Sequence, residues 1–154
     1  MALESRKANF IIDGEDFIVV GEDALYMANE RNMEVNRPMQ KGVLSPKEKA
    51  SLPMIKLIIK SLIGKGVESE KLFFSIPAAP VDGEFDIFYH EQMMKTYLKE
   101  MGFDPKSLNE AFAIAFSELI DDNLTGVCLS FGAGMINLAV VYEGDPIVQF
   151  SEIG

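Results

Sequence analysis

The sequence predicts a mixed α/β domain, a sheet flanked by helices, and three observations carry that prediction. Short β-branched and aromatic runs recur at 10–13, 17–20, 72–76, 125–131, 136–142 and 147–150. Between them, apolar residues repeat at helical spacing, most clearly Leu52, Ile55, Ile58, Ile59, Leu62 and Ile63. Glycine and proline mark the boundaries, as at Gly64, Pro77 and Gly102.

The first two runs are separated by Gly14-Glu15-Asp16 and read as a hairpin, followed by a short helix over 23–30. Residues 31–44 show little periodicity and contain Pro38 and Gly42, so they read as a surface loop. Ser45-Pro46-Lys47-Glu48 has the form of a capping box, with a hydroxyl, a proline and a glutamate placed to satisfy the first backbone N–H groups. A helix therefore starts there and stops at Gly64, its apolar face on a sheet. The run 72–76, almost wholly apolar and ended by Pro77, reads as an interior parallel strand covered on both faces. A helix over 86–101 follows, with Ile87, Met94, Tyr97, Leu98 and Met101 on its apolar face. Residues 103–108 lead into a third helix over 109–119, whose Ala111, Ala113 and Ala115 permit close approach of a neighbour. The last three strands, joined by Gly132-Ala133-Gly134 and by Glu143-Gly144-Asp145-Pro146, form a meander.

A length of 154 residues suits one domain, or one and the start of another. The formal net charge of -10 excludes a general attraction to nucleic acid or to an anionic membrane, both of which need a basic face. Lys41, Lys47, Lys49, Lys56, Lys60, Lys65 and Lys71 form a basic stretch that is either a solvated face or a docking surface. Cys128 is the single cysteine and lies in an apolar run, so it reads as a buried small hydrophobe in a reducing, cytoplasmic compartment. No apolar stretch reaches the roughly 18 residues of a spanning helix, and the N-terminal residues lack the apolar core of a signal peptide.

Two segments can carry chemistry. In Leu129-Ser130-Phe131-Gly132-Ala133-Gly134-Met135-Ile136-Asn137, small residues between two strands let backbone N–H groups approach an anion, so the turn is either a phosphate cradle or an ordinary hairpin. At Asn109-Glu110, a carboxylate opens a helix, where it either orients a water or only complements the helix dipole. His90, the lone histidine, has no second ligand at metal spacing and reads as a helix-surface residue; no metal site is expected among these residues.

In order, several motifs resemble the superfamily of actin, heat-shock chaperones and sugar kinases, and most closely its bacterial rod-shape branch, MreB. Arg37-Pro38-Met39-Gln40-Lys41-Gly42-Val43-Leu44 is similar to Arg-Pro-Met-Lys-Asp-Gly-Val-Ile, which there precedes a long helix. Val20-Gly21-Glu22-Asp23-Ala24 resembles Ile-Gly-Glu-Glu-Ala, and Ser75-Ile76-Pro77-Ala78 resembles a Val-Pro-Ala strand end. Asn109 to Ala115 is similar to the connecting helix Asn-Glu-Pro-Thr-Ala-Ala-Ala, and Val127 to Val140 to the second phosphate loop, Asp-Ile-Gly-Gly-Gly-Thr-Thr-Asp.

The resemblance implies a ribonuclease-H-like, actin-like ATPase module, with residues 1–122 as a first subdomain lacking its first phosphate loop and 123–154 as the opening strands of a second. It implies ATP and Mg²⁺ as ligands of a longer parent, with no measurable nucleotide binding by this stretch alone, and self-association into filaments. Glu110 then matches the residue that orients the attacking water, while Ser130, Gly132, Ala133, Gly134 and Asn137 match the phosphate loop. The chain departs from the pattern at Ser130, where the family has aspartate, and at Met135-Ile136-Asn137, where it has Thr-Thr-Asp. These departures favour, as the alternative, a non-catalytic actin-fold scaffold that has lost hydrolysis.

Overall fold

The computed structural model of the protein describes residues 8–40, 42–44, 51–79, 87–132 and 134–153. They belong to two units, Met1–Pro38 with Pro46–Gly64, and Met39–Ser45 with Lys65–Gly154.

In the first unit, β1 (Phe10–Asp13) pairs antiparallel with β2 (Asp16–Val19), as the hairpin pattern predicts. Gly14 at φ +63° makes the tight turn accessible, and the Phe10 and Phe17 rings meet at 5.6 Å. Helix α1 (Glu22–Arg31) carries Glu22 and Asp23 in its first turn and Arg31 in its last, matching its dipole. The Asp23 carboxylate accepts from the Asn9 backbone at 2.9 Å and side chain at 3.0 Å, which ties α1 to the start of β1. Helix α2 (Ser51–Ile63) packs on β1 and ends at Gly64, at φ +70°; the predicted capping box at 45–48 lies outside the described residues. Leu52, Ile55, Ile58 and Ile59 are half-buried as expected, but Leu62 and Ile63 are exposed. The reason is length: 13 helical residues span about 20 Å and the four-residue strand beneath them about 13 Å.

The second unit opens with a hairpin where a loop is expected: β3 (Met39–Gln40) pairs with β4 (Val43–Leu44). Strands of two residues are too short to show a period, and Gly42 at φ +73° closes the turn. Strand β5 (Glu70–Ile76) runs through helix α3 (Ile87–Glu100) into β6 (Phe103–Asn109), which pairs with β5 in parallel. Residues 103–108 lead into the next helix, as expected, and do so as a strand. Asp104, Lys106 and Ser107 make the segment look like a loop, yet Phe103 and Pro105 are buried while Asp104 and Lys106 are exposed, which is strand alternation. The expectation that β5 is covered on both faces also fails. Leu72, Phe74 and Ile76 are half-buried, whereas Phe73 is 63% exposed on the other face.

Helix α4 (Glu110–Glu118) and the antiparallel meander β7 (Gly126–Phe131), β8 (Met135–Tyr142) and β9 (Asp145–Ile153) complete the unit. One face of the meander packs Cys128, Ala139 and Val141 against Ala111 and Ala115 of α4. Ala111 and Ala139 are fully buried, so helix and sheet meet at close range. The opposite face is apolar and open: Val127, Leu129, Phe131, Tyr142 and Val148 are all exposed.

Candidate functional site

The close packing of α4 on the meander decides where its N-terminus lies. Asn109 ends β6 and caps α4, its side-chain Oδ1 accepting from the Phe112 N–H at 3.1 Å. Glu110 then begins the helix at its positive end and reaches the sheet. The register there aligns Ser130 with Asn137 and Asn137 with Ser151, one polar row across three strands whose neighbours on the same face are Cys128, Ala139 and Val141. Ser130 Oγ donates to Glu110 Oε1 at 2.6 Å, and Asn137 Nδ2 donates to Glu110 Oε2 at 3.2 Å. Ser151 Oγ in turn donates to Asn137 Oδ1. Asn137 is 2% exposed and Ser151 is fully buried, so neither can turn to solvent instead.

Three of the residues singled out in the sequence, Glu110, Ser130 and Asn137, thus form one cluster. Gly132 belongs to the turn beside it, and its N–H donates to the Met135 carbonyl at 2.8 Å, closing the hairpin. A side chain at Gly132 would lie 3.2 Å from that carbonyl oxygen. Gly134 is half-buried, and Ala133 lies outside the described residues. Ser151 is absent from the sequence-derived set because the last strand is expected to end at Phe150, one residue short of it. Its signal is parity, since a strand extended through 151 places it on the covered face.

Magnesium, which the resemblance implies, does not fit this donor set. Among the described residues no group of three or more His, Cys, Asp or Glu side chains is placed to hold a metal ion. Glu110, the carboxylate of the cluster, already accepts a protein hydrogen bond on each oxygen.

His90 departs from expectation: it is buried at 4% exposure, and its Nδ1 accepts from the Leu44 N–H at 3.1 Å. Burial pushes its pKa below the ordinary 6.5, against the pull of Glu91. Glu91 is held below its usual range by hydrogen bonds from Lys95, one turn on in α3, and from Ser107, which joins α3 to β6. Cys128 is buried as predicted, and desolvation, with Glu118 nearby, raises its thiol pKa. A separate cavity of about 410 Å³ lies in the first unit, lined by apolar side chains such as Phe17, Met27 and Met54, with Arg31 and Glu34 among them.

The sequence pattern of the Volactin family matches residues 1–152. The chain belongs to the Volactin family. This Volactin chain matches no curated protein. Among solved structures it is similar to MreB5 of Spiroplasma citri bound to ADP, with a TM-score of 0.60 at 22% identity over 90% of this chain and 41% of that one. It is also similar to MreB5 of the same organism bound to AMPPNP, with a TM-score of 0.61 at 21% identity, over 90% and 41%. The MamK double helical filament matches with a TM-score of 0.61 at 17% identity, over 89% and 41%. The Volactin chain therefore has the ribonuclease-H-like fold of actin-like proteins such as MreB, and spans 41% of the length of each of these three structures. Among the described residues no helix is long and apolar enough to cross a membrane.

Proposed function

We propose that the chain supplies the phosphate-facing part of an actin-like, nucleotide-binding body that assembles with copies of itself, in which Glu110 orients the water that attacks the terminal phosphate. The observation that supports this reading is the convergence of Glu110, Ser130 and Asn137 beside the 132–134 turn. The small residues of that turn permit close approach of a phosphate. Bound ATP would supply the scissile phosphoanhydride, and Glu110 would accept a hydrogen bond from the incoming water. MreB5 has been solved with ADP and with AMPPNP, and MamK as a filament, so nucleotide and assembly both accompany this fold. The open apolar face of the meander, Val127, Leu129, Phe131 and Val148, supports self-association with a second copy, since a face of this kind is self-complementary across a two-fold axis. Residues 1–122 and 123–154 correspond on this reading to a first subdomain and the opening of a second, and the buried free thiol of Cys128 suits the cytoplasm.

A second reading, an actin-fold scaffold without hydrolysis, is favoured by Ser130 in place of the acidic residue and by the engagement of both Glu110 oxygens. Calorimetric titration with ATP and Mg²⁺, followed by phosphate release and sedimentation, tests both readings in the natural polypeptide that carries residues 1–154. Binding with slow release, at least tenfold slower in Glu110→Gln at unchanged affinity, is expected on the general scale of a water-orienting group. Binding without release, unaltered by Glu110→Gln, would establish the scaffold; absence of binding would refute the nucleotide reading.

A further inference from the structure

We propose that Ser151 is a positioning residue for Glu110: acting through Asn137, it fixes the direction of a hydrogen-bond chain that ends on the Glu110 carboxylate. The functional meaning rests on the reading of Glu110 given above, whereas the hydrogen-bond chain stands on geometry alone.

A carboxylate only accepts hydrogen bonds, so the groups facing its two oxygens must donate. Ser130 does so through its hydroxyl and Asn137 through Nδ2. With its nitrogen turned to Glu110, Asn137 presents Oδ1 to the opposite side, where Ser151 Oγ donates to it. The reversed amide would set Oδ1 against a carboxylate oxygen, two acceptors face to face in a site with little water. Direction is therefore imposed from both ends, by the carboxylate at one and by the Ser151 hydroxyl at the other.

Ser151 is itself held. It pairs with Asn137 in the β8–β9 register, and its N–H donates to the Ala79 carbonyl at 3.3 Å, so the segment after β5 pins β9 at this residue. It is fully buried, on the face of the meander that also carries Cys128 and Ala139. An alanine would fill nearly the same space. The hydroxyl adds one function there, which is to donate to Asn137 and hold its amide against rotation.

The test is NMR of the chain labelled with ¹⁵N, following exchange of the Asn137 side-chain amide protons with solvent in the wild type, Ser151→Ala and Ser151→Cys, with circular dichroism to show that each is folded. Loss of the hydroxyl is expected to speed exchange roughly three- to tenfold in Ser151→Ala, and less in Ser151→Cys, whose thiol is a weak donor. Unchanged Asn137 exchange in folded Ser151→Ala overturns the proposal. Should that variant not fold, unchanged exchange in Ser151→Cys overturns it instead. In the natural polypeptide, Ser151→Ala should also slow phosphate release without changing nucleotide affinity. If nucleotide fails to bind while the exchange result holds, the reading of Glu110 is wrong and the positioning chain is right.

Discussion

Replacing Ser130 by aspartate, the residue that the phosphate-loop resemblance implies there, is expected to destabilise this protein. Ser130 Oγ lies 2.6 Å from Glu110 Oε1 and donates to it, so an aspartate replaces a donor by a second carboxylate facing the first. Two unit charges about 4 Å apart repel by about 4 kcal/mol at an effective dielectric constant near 20. Both positions are half-buried, so rotation and solvent screening relieve part of this, while the lost hydrogen bond adds about 1 kcal/mol. The expected deficit is about 2–4 kcal/mol at pH 8. Its pH dependence has a definite sign. A proton relieves the repulsion only in the folded state, so the variant's folded carboxyl pair binds it more tightly than the unfolded chain does, and the deficit relative to wild type grows as pH rises and shrinks as it falls. Urea unfolding of wild type, Ser130→Asp and the neutral Ser130→Asn at pH 8 and pH 5 measures it. Magnesium at millimolar concentration should restore stability to Ser130→Asp alone. Equal stability of the wild type and Ser130→Asp at pH 8, or equal deficits in the aspartate and asparagine variants, would refute the reasoning.

Two further outcomes follow from packing and burial. His90 is buried with a lowered pKa and accepts from Leu44, so the unfolded chain takes up its proton more readily; stability from this group should be complete above pH 6.5 and lost as pH falls through the lowered folded value. Acid titration of the urea midpoint checks this: His90→Gln should remove that phase while leaving the one at lower pH from Glu91, whose folded pKa is depressed below 4.5. Ala139→Leu, at a fully buried position facing α4, should cost about 1–3 kcal/mol by overpacking and displace α4 enough to break the Glu110–Ser130 bond, seen as altered NMR shifts of both side chains.

What was legible in the sequence had local signals. The β1–β2 hairpin, the alanine-rich helix and the meander each show their period over adjacent residues, and Gly14, Gly64 and Gly144 mark chain reversals with positive φ. Strand β6 is only weakly marked because it alternates Phe103 and Pro105 with Asp104 and Lys106, so about half its residues are polar and one is a proline, which is admitted at sheet edges. The burial of His90 depends on Leu44, 46 residues away, and no window along the chain contains both. The site was legible in part. Ser130 and Asn137 lie on one covered face by parity, and motif order drew attention to Glu110, but only the docking of α4 shows that all three meet.

The two faces of the meander divide the work. On one, Ala111 and Ala115 lie against Cys128 and Ala139, and this small-residue contact brings the α4 N-terminus near enough for Glu110 to reach the row of Ser130, Asn137 and Ser151. On the other, Val127, Leu129 and Phe131 from the same strand are exposed, the face proposed above for self-association. A net charge of -10 gives a phosphate no general attraction, so affinity at the 132–134 turn depends on local backbone donors, and the Gly132 N–H already closes the hairpin. The carboxylate proposed to orient water also anchors helix to sheet through both of its oxygens. If that proposal holds, activity and stability depend on the same atoms, and a loss of turnover at Glu110 or Asn137 identifies a chemical role only when the folded fraction of the variant has been measured alongside it.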